Sequence, residues 1–407
     1  MVHRQPIEQT MQSGKTDPIR LPPGGYVGPK LQRDTSGTCQ RAEGAADPIM
    51  ETRTCRQKTD CPSQAHRSNR SIASHSISPD PSDWTEPDLK DRFRGMIWGQ
   101  FVGDASALGA HWIYNLNEQA VAYPDGVHGF DAPRQGHYHF GKSPGDLTHY
   151  GDAALIVLES VAECGGSDPA DFGSRFFEKM NPDTYGGYID NATRGSFENR
   201  LTFEDSHAAE VFDYQQGADD DQMATISSLA PIVAAHHGDV DLFEIVTRAT
   251  RVRQNTERAT AYVRTHARIL SELLAGRDIH SALHRVEETI GDEPAFGSEL
   301  KRKFHSAFAC LSKPVTDATD RLGQSCPLIS SFPASLHSLL KSTDSFENSI
   351  VAVLRAGGDH AGRAAVVGSW LGAHLGIVGI PDAWQSRLAN RARIEQCVEA
   401  IVDRGAR

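Results

Sequence analysis

Apolar residues at Leu89, Phe93, Ile97, Phe101, Ala105 and Leu108 recur three or four apart, the spacing of one face of an α-helix. The segment "EPDLKDRFRGMIWGQFVGDASALGAHWI" therefore predicts a long helix, started by Asp83 or by Thr85 with the acidic residues that follow it. The same period continues in "DAALIVLESVAEC", stopped by Gly165-Gly166, and in "DPADFGSRFFEKM", "QMATISSLAPIVAAHH", "TERATAYVRTHARILSELLAG" and "DIHSALHRVEETIG". Strand alternation is not found, and no internal repeat is evident. Residues 84–407 predict a single all-α domain.

Residues 1–83 follow no such pattern. They are rich in Pro, Ser, Thr, Gln, Arg and Gly, and Tyr26 is their one aromatic residue. A segment with so little apolar surface cannot offset its ordering entropy, so 1–83 is predicted to be a disordered, low-complexity tail.

Glycines interrupt the helical pattern in a regular way. Gly95, Gly99 and Gly103 lie four apart in the first helix, as do Gly368, Gly372 and Gly376 in the late segment. An interior glycine costs about 0.8–1 kcal/mol against alanine. Two readings account for keeping them: close packing of two central helices, or a ligand lying against the bare face.

A net charge of −12 argues against nucleic acid as a partner, which would need a cationic face. No apolar run is long enough to span a membrane. The seven cysteines are irregularly spaced and form no CxxC, which predicts a reducing, cytoplasmic setting rather than a disulfide framework. The first residues lack the apolar stretch of a secretory signal, and Glu8 and Asp17 are foreign to an acid-poor transit peptide.

Three acidic corners carry the candidate chemistry: Asp104 in "GDASALG", Asp152 in "THYGDAAL" and Asp359 in "AGGDHAGRA". An aspartate at a helix start can simply cap orphan N–H groups. Carboxylates converging from different helices can instead hold a magnesium ion. Arg363, one turn beyond Asp359, suits an anionic ligand or a structural ion pair. Asn255 in "RQNTERA" suits an N-cap or a cleft amide, and Asp219 to Asp221 suit a cleft rim or solvated charge. The histidines His111, His137, His139, His149 and His360 show no i,i+4 ligand spacing and read as structural; His149 and His360 adjoin the two later corners.

The motifs "GDASALGAHWIYN", "YGDAALIVLES", "YGGYIDNATRGSFEN", "ISSLAPIVAAH", "RQNTERA", "SFPASLH" and "RAGGDHAGRAAVVGSWLGAHLG" occur in the order seen in the ADP-ribosylglycohydrolase superfamily. The chain resembles most the branch that includes selenoprotein J and the jellyfish J-crystallins. The resemblance implies a single large orthogonal helical domain acting on ADP-ribosyl linkages, with small-molecule or protein-linked ADP-ribose as partner. It also implies a two-magnesium site built from a Thr-Asp-Asp corner and a later Asp-x-Asp-Ser/Thr corner.

Mapped here, those corners are Tyr150-Gly151-Asp152 and Asp359-His360-Ala361-Gly362, so Asp152 and Asp359 are the catalytic residues and metal ligands that remain. Asp104, Gly357, Gly358, His360, Arg363 and Asn255 are the candidate ligand-binding residues. The selenocysteine or cysteine of the selenoprotein J branch is replaced by Ala361. Two functions remain open at this point: weak hydrolysis of ADP-ribosyl linkages at a degenerate magnesium site, or a catalytically inactive, crystallin-like structural or ADP-ribose-binding protein. Restoring oxygens with Gly151→Asp, Ala361→Asp and Gly362→Thr is expected to strengthen magnesium binding. Limited proteolysis is expected to trim the first 83 residues and leave a stable fragment beginning near Trp84; protection of the chain around Cys55 would contradict the tail assignment.

Overall fold

The computed structural model describes residues 87–207 and 210–405. The expected tail over 1–83 lies outside the described residues. Within them the chain forms sixteen α-helices with short 3₁₀ turns and no strands, an all-α domain as the periodicity implied.

The long helix opens at Leu89, later than expected, because Asp88 supplies the cap: its carboxylate accepts the Asp91 N–H at 2.8 Å. It runs to Ala107, and fifteen of its nineteen residues are buried. His149–Cys164 is capped by Thr148 and ends at Gly165, whose φ of 78° places it in the left-handed region that stops a helix. Asp168, Thr256 and Asp278 cap the helices Pro169–Lys179, Glu257–Leu274 and Ile279–Thr289. One expected helix is corrected. Residues 222–237 do not form a continuous helix but a 3₁₀ turn at Ile226–Ser228 followed by the short helix Ala230–Ala235. Pro231 sits in that helix's first turn, where its missing N–H costs nothing but a preceding helix cannot run through.

Leu89–Ala107 and His360–Leu375 form the centre, antiparallel and in close backbone contact. A Cβ at Gly95 would overlap the carbonyl oxygen of Gly372, one at Gly99 that of Gly368, and one at Gly103 that of Ala364. The overlap is reciprocal, since Gly368 and Gly372 face the carbonyls of Gly99 and Gly95. The glycine stripes therefore serve helix packing. Arg92 closes one end of the pair by donating to the carbonyls of Ala373 and His374 at 3.0 and 2.7 Å, a cation at a helix C-terminus. Glu257–Leu274, Leu328–Leu340, Phe346–Arg355 and Arg391–Gly405 pack around this centre. Trp370 of the central pair is fully buried beside Phe332 and His266.

Antiparallel packing brings the end of the first helix beside the start of His360–Leu375. The chain that follows the first helix, residues 108–148, is mostly irregular and reaches that end through the Trp112 and Ile113 bonds to Gly358.

Gly372→Ala is expected to cost about 1–3 kcal/mol, because a methyl group forces the two backbones apart. Gly186→Ala, with nothing within 4 Å of the added carbon, serves as control. Equal thermal midpoints for the two variants would contradict the packing argument.

Candidate functional site

Asp104 lies at the C-terminal end of the first helix, fully buried, and turns towards the start of His149–Cys164. Its carboxylate accepts the Thr148 N–H at 2.8 Å and the Thr148 hydroxyl in a short bond. Asp104 thus supports another helix's N-terminus, and that helix's own cap, across the fold. Burial pushes its carboxyl up to about 7 against the two bonds from Thr148.

Asp152 occupies the first turn of the same helix and is one-quarter exposed. Its Oδ2 accepts from Lys142 Nζ at 2.6 Å and from the Tyr185 hydroxyl at 2.5 Å. Both partners come from loops, and neither was singled out in the sequence.

Asp359 precedes the second central helix without capping it. It is fully buried, and its Oδ2 accepts only a long 3.4 Å bond from the Tyr150 hydroxyl. Oδ1 has no hydrogen-bond partner and stands 3.6 Å from His111 Nε2. Burial raises this carboxyl to about 6, with the Arg363 guanidinium opposing.

The Gly357-Gly358 turn is held by two backbone bonds, Trp112 N–H to the Gly358 carbonyl at 2.9 Å and Gly358 N–H to the Ile113 carbonyl at 2.8 Å. Both glycines have φ of 72°, so a side chain at either would be strained, and a Cβ at Gly358 would also strike Gln324. Arg363 is fully buried and donates to the carbonyls of Gln324, at 3.0 Å, and Gly357. It clamps the turn and makes no hydrogen bond to Asp152 or Asp359.

Asn255 is elsewhere. It is exposed, follows Gln254 into the helix that Thr256 caps, and lines an open groove with Asn199, Phe203 and Gln216. Asp220 accepts from Gln254 at 2.7 Å and Asp221 pairs with Arg258 at 2.7 Å, so both aspartates anchor the loop before that helix.

Sequence spacing missed the histidines. His111 follows the first helix, His139 sits in the loop and His149 opens the third described helix, yet all three converge and are buried. One ring nitrogen from each lies within 4.8 Å of the other two. Desolvation holds His149 down to about 4 and His139 to about 2, and keeps His111 well below its ordinary value. His360 adjoins them, its ring centroid 5.9 Å from that of His111, and burial holds it down to about 3. Trp112, in the left-handed region at φ of 64°, stacks on His111 with ring centroids 4.2 Å apart. Its indole N–H reaches Cys326 Sγ at 3.3 Å, and burial pushes that thiol up to about 12.

The expected ligand restoration is corrected. A Cβ at Gly151 would fall on the Asp104 carboxylate, and one at Gly362 would come within 2.9 Å of Met223 Cβ. The backbone corner is present, but its side-chain space is already filled.

Asp104 offers a pH test. Its raised folded-state pKa means that the folded chain holds a proton the unfolded chain releases near 4, so its contribution is full below that value and is lost as pH rises through about 7. Asp104→Asn should therefore gain on the natural chain between about pH 5 and about pH 8, by up to about 1.4 kcal/mol per unit of pKa shift. Urea midpoints that run parallel across that range would contradict the assignment.

A family model described as ADP-ribosylglycohydrolase matches residues 85–407. Crystallin J1A of Tripedalia cystophora is 24% identical over 324 residues, 77% of this chain and 96% of that protein. The ADP-ribosyl-(dinitrogen reductase) glycohydrolase of Rhodospirillum rubrum is 24% identical over 321 residues, 78% of this chain and 97% of that protein. The solved structure of an ADP-ribosylglycohydrolase-related protein complex shares the fold, with a TM-score of 0.61 at 23% identity over 78% of this chain and 99% of its own. The helical domain, its ordered motifs and these matches agree: the chain belongs to the ADP-ribosylglycohydrolase family.

Proposed function

We propose that this chain keeps the family fold without magnesium-dependent hydrolysis, and acts either as a structural protein, as the name of its crystallin relatives implies, or as an ADP-ribose-binding protein. The observation that carries this reading is the state of Asp152, whose Oδ2 is already bonded to Lys142 at 2.6 Å and Tyr185 at 2.5 Å.

Magnesium requires near-octahedral oxygen ligation and gives up its waters reluctantly. The residues present do not fit a pair of such ions. Asp152 is neutralised by an ammonium group, Asp359 is buried beneath Tyr150, and Asp104 fills the space beside Gly151 while bonded to Thr148. The groups that act on Asp359 are the Arg363 guanidinium, the Tyr150 hydroxyl and the His111 imidazole, not further carboxylates. Restoring a carboxylate at residue 151 would also require vacating Asp104, which would leave Thr148 without its acceptor.

One observation favours residual hydrolysis: the Asp152 side chain retains 23% exposure and so remains open to solvent. The double variant Lys142→Met, Tyr185→Phe frees that carboxylate and separates the two readings. In calorimetry the natural chain should bind magnesium at millimolar affinity or weaker, and it should release no ADP-ribose from an ADP-ribosylated peptide. The double variant should bind magnesium more tightly. Micromolar magnesium affinity with turnover in the natural chain would overturn the proposal; ADP-ribose binding without turnover would support its binding form.

A further inference from the structure

We propose that His111, His139 and His149 form a binding site for one divalent first-row transition-metal ion of the zinc type. Neither the family resemblance nor the carboxylate corners call for such a site. It rests on three imidazoles gathered from three separate elements, with one nitrogen of each within 4.8 Å of the others.

Their lack of partners is the second observation. Both ring nitrogens of His139, both of His149 and Nε2 of His111 have no hydrogen-bond partner among the described residues, and the three residues are at most 2% exposed. Buried polar atoms are ordinarily satisfied, and leaving one bare costs about 1–3 kcal/mol. Five bare nitrogens in one place make a poor structural core. They make a reasonable donor set, because neutral imidazole suits zinc and its neighbours in the series, whereas magnesium prefers oxygen.

The dimensions are close to what is needed. Tetrahedral zinc with bonds of about 2.0–2.1 Å places its nitrogen ligands about 3.4 Å apart, so a small inward swing of the rings completes the site. His139 lies on the loop between Gly136 and Gly141, both with positive φ, which is the element best able to supply that swing.

The outer surroundings also fit. A ligating imidazole presents its other N–H to an acceptor, often a carboxylate. Asp359 Oδ1, itself without a partner, is 3.6 Å from His111 Nε2, and Asp190 Oδ2 is 3.8 Å from His149 Nε2. His111 Nδ1 accepts only a long 3.3 Å bond from the Ala361 N–H, which yields if that nitrogen ligates. Lys142 and Arg253 oppose a cation nearby, and Asp152, Asp190 and Asp359 offset them. Three protein ligands leave a fourth position for water or a small ligand, the composition of open zinc sites.

The test uses the full chain with Cys39→Ser, Cys55→Ser and Cys61→Ser, so that thiols of the N-terminal segment do not compete. After dialysis against a chelator, zinc is titrated against a chromophoric competitor, and cobalt(II) is added separately to record its visible spectrum. One zinc per chain is expected, with affinity falling more than about 100-fold in His139→Gln and in His149→Gln and unchanged in His207→Gln. Cobalt(II) should give the intense visible bands of a tetrahedral nitrogen site. Equal zinc affinity in all variants, or a weak octahedral cobalt spectrum in the natural-histidine chain, would overturn the proposal. The cobalt spectrum decides the matter even where a histidine variant fails to fold. Metal content is read without reference to hydrolysis, so the outcome is independent of the function proposed above.

Discussion

The contact between Leu89–Ala107 and His360–Leu375 is the constraint on which the rest of the structure depends. Helix axes can approach this closely only where side chains are missing, and Gly95, Gly99, Gly103, Gly368 and Gly372 remove them in register. The helix-propensity cost of about 0.8–1 kcal/mol for each glycine is offset by continuous backbone packing that no larger residue permits. Because each glycine faces a particular carbonyl, the contact also fixes register. It sets Asp104, at the end of one helix, beside the corner that begins with Asp359 on the other.

That placement decides the chemistry of the corner. Three carboxylates are brought to one end of the fold, and each ends in a different environment. Asp152 is compensated by Lys142 and Tyr185, Asp104 is bonded to Thr148, and Asp359 is buried with one bare oxygen. A dinuclear magnesium centre needs several carboxylate oxygens held bare and facing one another. Here Asp152 and Asp104 already have partners, and the unpaired polar atoms include Asp359 Oδ1 and ring nitrogens of His111, His139 and His149.

Much of the fold was legible in the sequence because it is written in local periods. The three- or four-residue spacing of apolar positions marks the helices, the four-residue spacing of glycine marks the central contact, and Gly165 marks a stop. The break at residues 226–235 was not legible, since an apolar run containing Pro231 reads as a helix until its turns are packed. The site was legible only in part. Asp152 and Asp359 stand beside glycines in recognisable corners, whereas Lys142 lies in a loop with no pattern to flag it and Tyr185, though it opens the motif "YGGYIDNATRGSFEN", carries no sign of its bond to Asp152. The histidine cluster was invisible to spacing rules for the same reason: His111, His139 and His149 meet through tertiary folding, not along one helix face.

Asp104 shows how the site resists change. In isolation, Gly151 reads as a position where one substitution could add a carboxylate. In the folded chain a side chain there and the Asp104 carboxylate would occupy the same space, so the two positions are coupled. Removing Asp104 to admit a carboxylate at 151 would strip the acceptor from the Thr148 N–H and hydroxyl at the start of a core helix. Thr148 also caps that helix through the Tyr150 N–H, so the loss would spread to the element that carries Asp152 itself. The arrangement is therefore held by folding energy as well as by composition. Placing a carboxylate at residue 151 requires simultaneous change on two helices, while the buried imidazoles beside it need only a ring movement to take up the proposed ion.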